Sequence, residues 1–247
     1  MKFVLSILFS MFAVSASAAQ VLTFAAEATY PPFVNIDERN QVAGFETAVI
    51  QAMCQHLSVE CKFSHHPWES LIVGVKLGKF DGVYGGMEIT EQRQKIVAFT
   101  QPIYHNQIGL LVNQTKISEF TPDALNHQTI GVQRGTTFER YLREEHPKRV
   151  KVKNFTTIQE ALLDLKTGRV SGVLGDVPVL TQWLARQPSN DLYQLLELPQ
   201  QELVFFGKGY GIAVKQGNQQ LLKQLNQALL DIKNDGTYDT LYQQYFN

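Results

Sequence analysis

One stretch of the sequence occurs twice, and this repetition constrains the fold more than any other feature. Residues 76–86 read KLGKFDGVYGG and residues 166–176 read KTGRVSGVLGD, so five of the eleven positions are identical in register and a sixth conserves a basic residue. Each copy has the pattern of a helix end, a glycine stop, an apolar strand and a glycine-marked turn. The repetition predicts two similar α/β lobes, with a chance match between two common helix-turn-strand units as the alternative.

The rest of the chain alternates between strand and helix patterns, which is typical of βαβ units and a mainly parallel sheet. Prolines 31 and 32 predict a loop over residues 27–33 after the first strand. A helix is expected from Thr136 or Thr137 toward Glu145. The predicted strands are 21–26, 59–63, 80–84, 129–133, 170–174 and 210–214. One further helix is predicted after Gly44, and three more are predicted over residues 70–77, 157–167 and 218–233.

The order of these elements predicts an insertion of one lobe into the other. We expect lobe one to comprise residues 20–107 and 205–247, and lobe two to comprise residues 108–204. Two crossing strands would then join the lobes near residues 106–111 and 204–207. Such an arrangement permits hinge closure.

The N-terminus predicts export. Lys2 precedes an apolar run over residues 3–14, and Ala16-Ser17-Ala18 provides a small-residue cleavage site. We therefore expect residues 1–19 to be a cleavable signal peptide and the protein to be periplasmic in a Gram-negative bacterium. The alternative of a membrane anchor is disfavoured, because a bilayer span needs about 20 apolar residues.

Charge and motifs exclude several functions. The formal charge of −1 gives no electrostatic case for binding nucleic acid or an anionic membrane. No nucleophile elbow, P-loop or dinucleotide-binding glycine motif occurs, and we expect no cofactor. Export makes a disulfide permissible for Cys54 and Cys61. The nearby histidines lack the spacing of a zinc motif, so no metal is expected.

Polar residues cluster in four loops that follow predicted strands. In open α/β sheets, ligands bind at the carboxyl ends of strands. These loops, together with Trp68 just before a predicted helix and with the adjoining residues Met87 and Gln133, give the predicted ligand-binding set: Glu27, Tyr30, Trp68, Gly85, Gly86, Met87, Glu88, Thr90, Arg93, Gln133, Thr136, Thr137 and Asp176.

The residue types in these loops suit a free amino acid. Arg93 could hold its carboxylate and Asp176 its ammonium group. Glu27 and Glu88 are further acids for a basic side chain, and Tyr30 and Trp68 offer flat faces to a cation. Two alternatives stay open: Arg93 in a solvated first helical turn, and Asp176 as a helix N-cap before Val177-Pro178. The aromatic residues could equally belong to the core, and the two threonines could serve only as helix caps.

The chain resembles the bacterial periplasmic polar amino-acid-binding proteins, solute-binding family 3, and among them the arginine-binding and lysine/arginine/ornithine-binding proteins. The strings that carry the resemblance are FAAEATYPPF, GFETAVIQAMCQHLSVEC, WESLIVGVKLGKFDGVYGGMEITEQRQKIVAFTQPIY, IGVQRGTTFERYL, GVLGDVPV, GYGIAV and DGTYDTLYQQYF. The resemblance implies the two-lobe type II fold. It also implies a Cys54–Cys61 disulfide. In such a protein Arg93 would bind the ligand carboxylate, assisted by Thr136 and Thr137, and Asp176 would bind the ligand ammonium group. Tyr30 and Trp68 would sandwich the ligand side chain, and Glu27, the acid in the first loop, would pair with its basic group.

The same resemblance implies a monomer that binds L-arginine, or else lysine, ornithine or histidine, and then docks on an inner-membrane ABC permease. The sequence departs from the lysine/arginine/ornithine pattern at Gly85, Gly86 and Glu88, where serines are common. Glu88 resembles the acid of arginine binders, and we hypothesise that it favours a guanidinium. Two other functions are considered: a cyclohexadienyl dehydratase, which uses the same cleft for catalysis, and a sensory domain that signals to a membrane partner.

Overall fold

A computed structural model describes residues 20–105, 107–188, 191–199 and 202–246 of the chain. The predicted signal peptide therefore lies outside the described residues. Within those ranges, no helix has the length and apolar character needed to cross a membrane. Their strands form two five-stranded sheets and one small three-stranded sheet.

The first large sheet takes its strands from both ends of the chain. In chain order, the first described elements of the protein are β1 (Val21–Ala26), β2 (Thr29–Tyr30), β3 (Val34–Ile36), β4 (Val42–Ala43), α1 (Phe45–His56), β5 (Glu60–His65), α2 (Trp68–Lys76), β6 (Gly82–Tyr84), α3 (Glu91–Gln94) and β7 (Val97–Phe99). The large sheet has the order β5-β1-β6-β13-β7, where β13 (Ala213–Lys215) is its one antiparallel strand, and β2, β3 and β4 form the small sheet. With α7 (Gln219–Asn234) and α8 (Thr237–Phe246), we name these elements lobe one.

The second large sheet comes from the middle of the chain. Its elements, which we name lobe two, are β8 (Ile108–Asn113), β9 (Thr129–Gln133), α4 (Thr137–Glu145), β10 (Lys151–Phe155), α5 (Ile158–Lys166), β11 (Gly172–Asp176), α6 (Val177–Ala185), β12 (Tyr193–Glu197) and a 3-10 helix (Glu202–Phe206). The sheet order is β10-β9-β11-β8-β12, and β8 alone runs against its neighbours. The predicted α/β fold with mainly parallel sheets is therefore confirmed.

The repeated stretch occupies equivalent places in the two lobes. The first copy ends α2 and forms β6, the second ends α5 and forms β11, and each strand is the third of its sheet. The glycine stops, Gly78 and Gly168, have positive φ angles of 75° and 74°, a conformation that glycine adopts without strain. In both sheets the antiparallel strand lies directly beside this third strand. The match between the two stretches thus reflects two similar lobes rather than chance.

Three predicted boundaries need correction. Helix α2 begins at Trp68 and not at Ser70, because Pro67 takes the N-cap position. The predicted loop over residues 27–33 contains β2, which pairs with β3 across the proline turn. The strand expected at 170–174 lies at Gly172–Asp176, so Asp176 ends a strand and begins α6.

The segment before β13 also differs from its prediction, since the strand begins at Ala213 and not at Tyr210. Gly207 and Gly209 have φ angles of +83° and +104°, which interrupt a regular strand. A Cβ atom on Gly209 would lie only 2.4 Å from the carbonyl oxygen of Tyr104. Tyr210 instead donates its N–H to that oxygen at 2.8 Å, so the two segments that link the sheets lie side by side. The strand expected near 204–207 is the end of the 3-10 helix.

The predicted disulfide is present. It joins Cys54, near the end of α1, to Cys61 in β5. The bond ties the helix to the edge strand of the first sheet, which is the structural role expected from the sequence. In the chain-entropy description, closing so short a loop stabilises the fold by roughly 2–3 kcal/mol.

Candidate functional site: a cleft between the lobes

The Gly85–Gly86 turn brings two of the predicted loops of lobe one together. It follows β6, and its residues have φ angles of +100° and +65°, a region that favours glycine. A Cβ atom on Gly86 would lie 3.0 Å from Cε1 of Tyr30. The absence of a side chain therefore allows the Tyr30 ring to lie against the turn and to face lobe two.

Glu88 links Arg93, in lobe one, to Thr137, in lobe two. Arg93 donates from Nη1 to Oε2 of Glu88 at 2.7 Å and to its backbone oxygen at 3.0 Å. The Thr137 hydroxyl donates to the remaining oxygen, Oε1, at 2.6 Å. Because Arg93 is only 8% exposed, the interpretation of a solvated helical turn is wrong. Thr90 caps the short helix α3 and accepts the backbone N–H of Arg93.

Asp176 is buried between the lobes at the start of α6. It occupies the N-cap position, but its side chain makes no capping hydrogen bond. Instead, its Oδ2 accepts a hydrogen bond from the Tyr30 hydroxyl, and its Oδ1 has no partner among the described residues. The alternative of an N-cap position before Val177-Pro178 is therefore confirmed, whereas the carboxyl group itself does not cap the helix.

The surroundings of Asp176 favour its neutral form. Burial raises the pKa of this carboxyl well above its usual range, and the charge of Glu88 raises it further. The hydroxyls of Tyr30 and Tyr210 act in the opposite direction. A cation placed beside Asp176 would lower its pKa, because it would stabilise the carboxylate.

Two further contacts join the lobes around Glu27 and Trp68. Gln133 donates from Nε2 to Oε2 of Glu27, whose pKa is raised chiefly by burial. The indole Nε1 of Trp68 donates to the backbone oxygen of Gly135 at 3.1 Å. The Trp68 ring lies 5.3 Å from the guanidinium carbon of Arg93, a cation–π distance.

The site is thus a cleft between two similar α/β lobes that contains acids, an arginine and aromatic rings. Nearly the whole chain also matches one protein family. Residues 22–247 match the model of the bacterial extracellular solute-binding proteins, family 3. The chain belongs to this family. The predicted resemblance is thereby confirmed.

Among similar proteins, the solute-binding protein is 39% identical to ABC transporter arginine-binding protein 1 of Escherichia coli K12, over 99% of this chain and 98% of that protein. It is 34% identical to the arginine-binding periplasmic protein of Mannheimia haemolytica, over 99% and 98% of the two chains.

Solved structures show the same two-lobed fold. A Salmonella typhimurium periplasmic binding protein with high arginine specificity superposes with a TM-score of 0.84 at 31% identity, over 93% of this chain and 100% of that one. An ancestral arginine-binding protein bound to arginine gives a TM-score of 0.83 at 34% identity, over 92% and 98%. The predicted type II periplasmic binding fold is confirmed by these matches.

The cleft of this solute-binding protein is closed in the structure. Its cavity has a volume of about 10 Å³, which is room for about one water molecule. A ligand as large as an amino acid therefore has to displace contacts between the lobes. The lining residues are Glu27, Tyr30, Trp68, Gly85, Gly86, Glu88, Gln133, Thr136 and Phe138.

The remaining predicted residues lie at the edge of this cavity or away from it. Thr90, Arg93 and Thr137 line an adjoining open pocket of about 350 Å³. The Met87 side chain is fully buried in the core of lobe one, so the structure does not bring it into the cleft. Thr136 caps α4, as one of the two threonines was predicted to do, whereas the Thr137 hydroxyl binds Glu88.

Sequence reasoning missed four residues at the cleft. Phe138 lines the cavity, and Gln159 donates from Nε2 to the backbone oxygen of Thr29 across the lobes at 3.4 Å. Tyr210 is fully buried, and this burial, together with the charge of Asp176, raises the pKa of its hydroxyl well above the usual range. Glu46, in α1, is fully buried and accepts the N–H of Gly86 at 2.7 Å. A useful signal existed for Phe138 alone, because it directly follows the predicted Thr137.

Proposed function

We propose that the protein is the periplasmic component of an ABC importer and that it binds a basic L-amino acid, arginine first, between its lobes. The charge balance of the cleft carries the proposal. Glu27, Glu88 and Asp176 are each no more than 5% exposed, and Arg93 is the one buried basic residue in the described ranges. A cationic ligand reduces this excess of acids. The names of the relatives in Escherichia coli and Mannheimia haemolytica support the choice of arginine.

Five of the predicted residues contact the ligand in this proposal. Arg93 contacts Glu88 through Nη1, which leaves its Nη2 edge for the ligand carboxylate. Asp176 receives the α-ammonium group, for which its unpartnered Oδ1 is suited. Glu27 pairs with the basic group, and Tyr30 and Trp68 lie on either side of the ligand side chain.

Closure of the lobes follows from the position of these residues. Arg93 and Tyr30 belong to lobe one and Asp176 to lobe two, so a ligand that touches all three has greater affinity for the closed state. We propose that the lobes join between residues 107 and 108 and again at the end of the 3-10 helix, whose Phe206 packs in the core of lobe two. The boundary expected between residues 204 and 205 falls inside this helix. The closed monomer then docks on an inner-membrane permease, and the ligand leaves unchanged, without turnover.

The test is calorimetric titration of protein that has been unfolded and refolded to remove bound ligand. Arginine, lysine, ornithine, histidine and glutamine are compared, and glutamine serves as the neutral control. We expect arginine to bind most tightly and Arg93→Ala and Asp176→Ala to abolish binding. If folded protein binds none of the five, the proposal is wrong.

A second candidate function has one observation in its favour. The ancestral amino-acid-binding precursor of cyclohexadienyl dehydratase superposes with a TM-score of 0.80 at 29% identity, over 92% of this chain and 95% of that one. Against a dehydratase, the buried acids of the cleft oppose an anionic cyclohexadienyl substrate. Incubation with arogenate and prephenate distinguishes the two, since product formation would favour the enzyme.

A further inference from the structure

Glu46 is a buried carboxyl group that none of the ligand-binding roles above uses. It is the second residue of α1 and is 0% exposed. Its Oε2 accepts the N–H of Gly86 at 2.7 Å, and its Oε1 has no partner among the described residues. A buried acid with one unpartnered oxygen costs stability, so its contact with the Gly85–Gly86 turn calls for an explanation.

The start of α1 also holds the loop that carries Tyr30. The N–H of Phe45 donates to the Pro32 oxygen at 2.9 Å, and the N–H of Glu46 donates to the Phe33 oxygen at 3.1 Å. The approach is close, because a Cβ atom on Gly44 would lie 2.4 Å from that same Phe33 oxygen. The backbone of Glu46 thus contacts the first ligand loop, and its side chain contacts the second.

From this geometry we infer that Glu46 is a positioning residue of the ligand cleft, which fixes the Gly85–Gly86 turn relative to Tyr30. Two consecutive glycines have more conformational freedom than any other pair of residues. The turn precedes Glu88 and lies against the Tyr30 ring, so restricting it places both side chains before the ligand arrives. Preorganisation of this kind raises affinity because less conformational entropy is lost on binding.

The carboxyl group can serve in either protonation state. Burial raises the pKa of Glu46 to about 7, whereas the N–H groups of Gly86 and Gly85 lower it. A protonated carboxyl still has a carbonyl oxygen that accepts a hydrogen bond. Glutamine offers the same acceptor, and methionine fills a similar volume without one. These two substitutions therefore separate the hydrogen bond from the packing of the side chain.

The first measurement is amide hydrogen exchange at Gly86 in ligand-free, ¹⁵N-labelled protein. We expect exchange in Glu46→Met to be about 10-fold faster than in the wild type, which corresponds to the loss of one hydrogen bond. Glu46→Gln should stay within about threefold of the wild type. Met53→Ala is the matched control, because Met53 is fully buried in the same helix and its loss should not affect Gly86 selectively. In the wild type, the Gly86 amide chemical shift should titrate with pH, and this titration should be absent from Glu46→Gln.

The second measurement is arginine affinity, and it rests on the proposed function. We expect about 10-fold weaker binding for Glu46→Met and near wild-type binding for Glu46→Gln. Equal Gly86 exchange in the wild type and Glu46→Met overturns the inference whether or not arginine binds. If Gly86 depends on Glu46 but wild-type protein binds no arginine, the proposed function fails and the positioning role stands.

Discussion

Replacing Tyr30 by phenylalanine removes one hydroxyl from the contact between the lobes. That hydroxyl donates to Oδ2 of Asp176, which is only 1% exposed. The ring itself remains, so its packing beside Phe33, at a centroid distance of 6.2 Å, is preserved. The change therefore tests the hydrogen bond and not the aromatic face.

The expected loss can be estimated from the type of bond. With the ammonium group of the ligand beside it, Asp176 is expected to be ionised, and a hydrogen bond to an ionised carboxylate contributes about 1.5–3 kcal/mol. The bond joins lobe one to lobe two and so stabilises the closed state. Removing it should weaken arginine binding by about 10- to 150-fold at pH 7. It should also raise the pKa of Asp176 further, because the Tyr30 hydroxyl lowers that pKa, and a neutral Asp176 attracts an ammonium group less strongly.

The assay is calorimetric titration with arginine beside thermal unfolding of the same samples. Tyr84→Phe is the matched control, because the Tyr84 hydroxyl is buried and lies 2.9 Å from the Thr47 hydroxyl within lobe one. We expect the control to lose stability but not affinity. Affinity within twofold of the wild type for Tyr30→Phe, tighter binding, or an equal loss in Tyr84→Phe would refute the reasoning.

Three other expectations follow from the same structure. Glu88→Ser should reduce affinity for arginine more than for lysine or ornithine in calorimetry, and an unchanged ratio would contradict the role assigned to Glu88. Changing Cys54 and Cys61 together to alanine should lower the free energy of unfolding by roughly 2–3 kcal/mol in denaturant titrations, with arginine affinity unchanged. The pKa of Glu46 is raised from 4.5 to about 7, so the native state holds more protons than the unfolded chain between these values. Its contribution to the free energy of unfolding should therefore fall as pH rises from about 4.5 to 7, by at most on the order of 3 kcal/mol. Glu46→Gln should show a smaller fall than the wild type in denaturant titrations across this range, and identical pH profiles would contradict the assignment.

Local elements were predictable where a single periodic pattern or cap decides the conformation. The strand Val21–Ala26 and the strand Thr129–Gln133 have the predicted bounds, since each is a short apolar run next to a polar loop. The helix Ile158–Lys166 begins after Thr157, whose side chain and Glu160 form a capping box. The short partners β7, β10 and β12 were not predicted, because they have three to five residues and are stabilised by pairing with distant strands.

The candidate site was predictable as a set of loops but not as a set of contacts. Loops after parallel strands meet at one sheet edge, which is why Glu27, Gly86, Gln133 and Asp176 could be grouped from the sequence. Their partners depend on how the lobes face each other. Glu88 was expected as a spare acid, whereas the structure pairs it with Arg93 and Thr137.

The sequence by itself determined that the chain has two similar α/β lobes, because apolar periodicity, glycine stops and caps act over a few residues. It also determined which loops carry charge. Only the tertiary structure decided that β13 lies antiparallel between β6 and β7, that Tyr210 lies beside Tyr104, and that Glu46 contacts Gly86. Those contacts join residues 40 to more than 100 positions apart. Their geometry depends on the packing of whole lobes, which no local pattern contains.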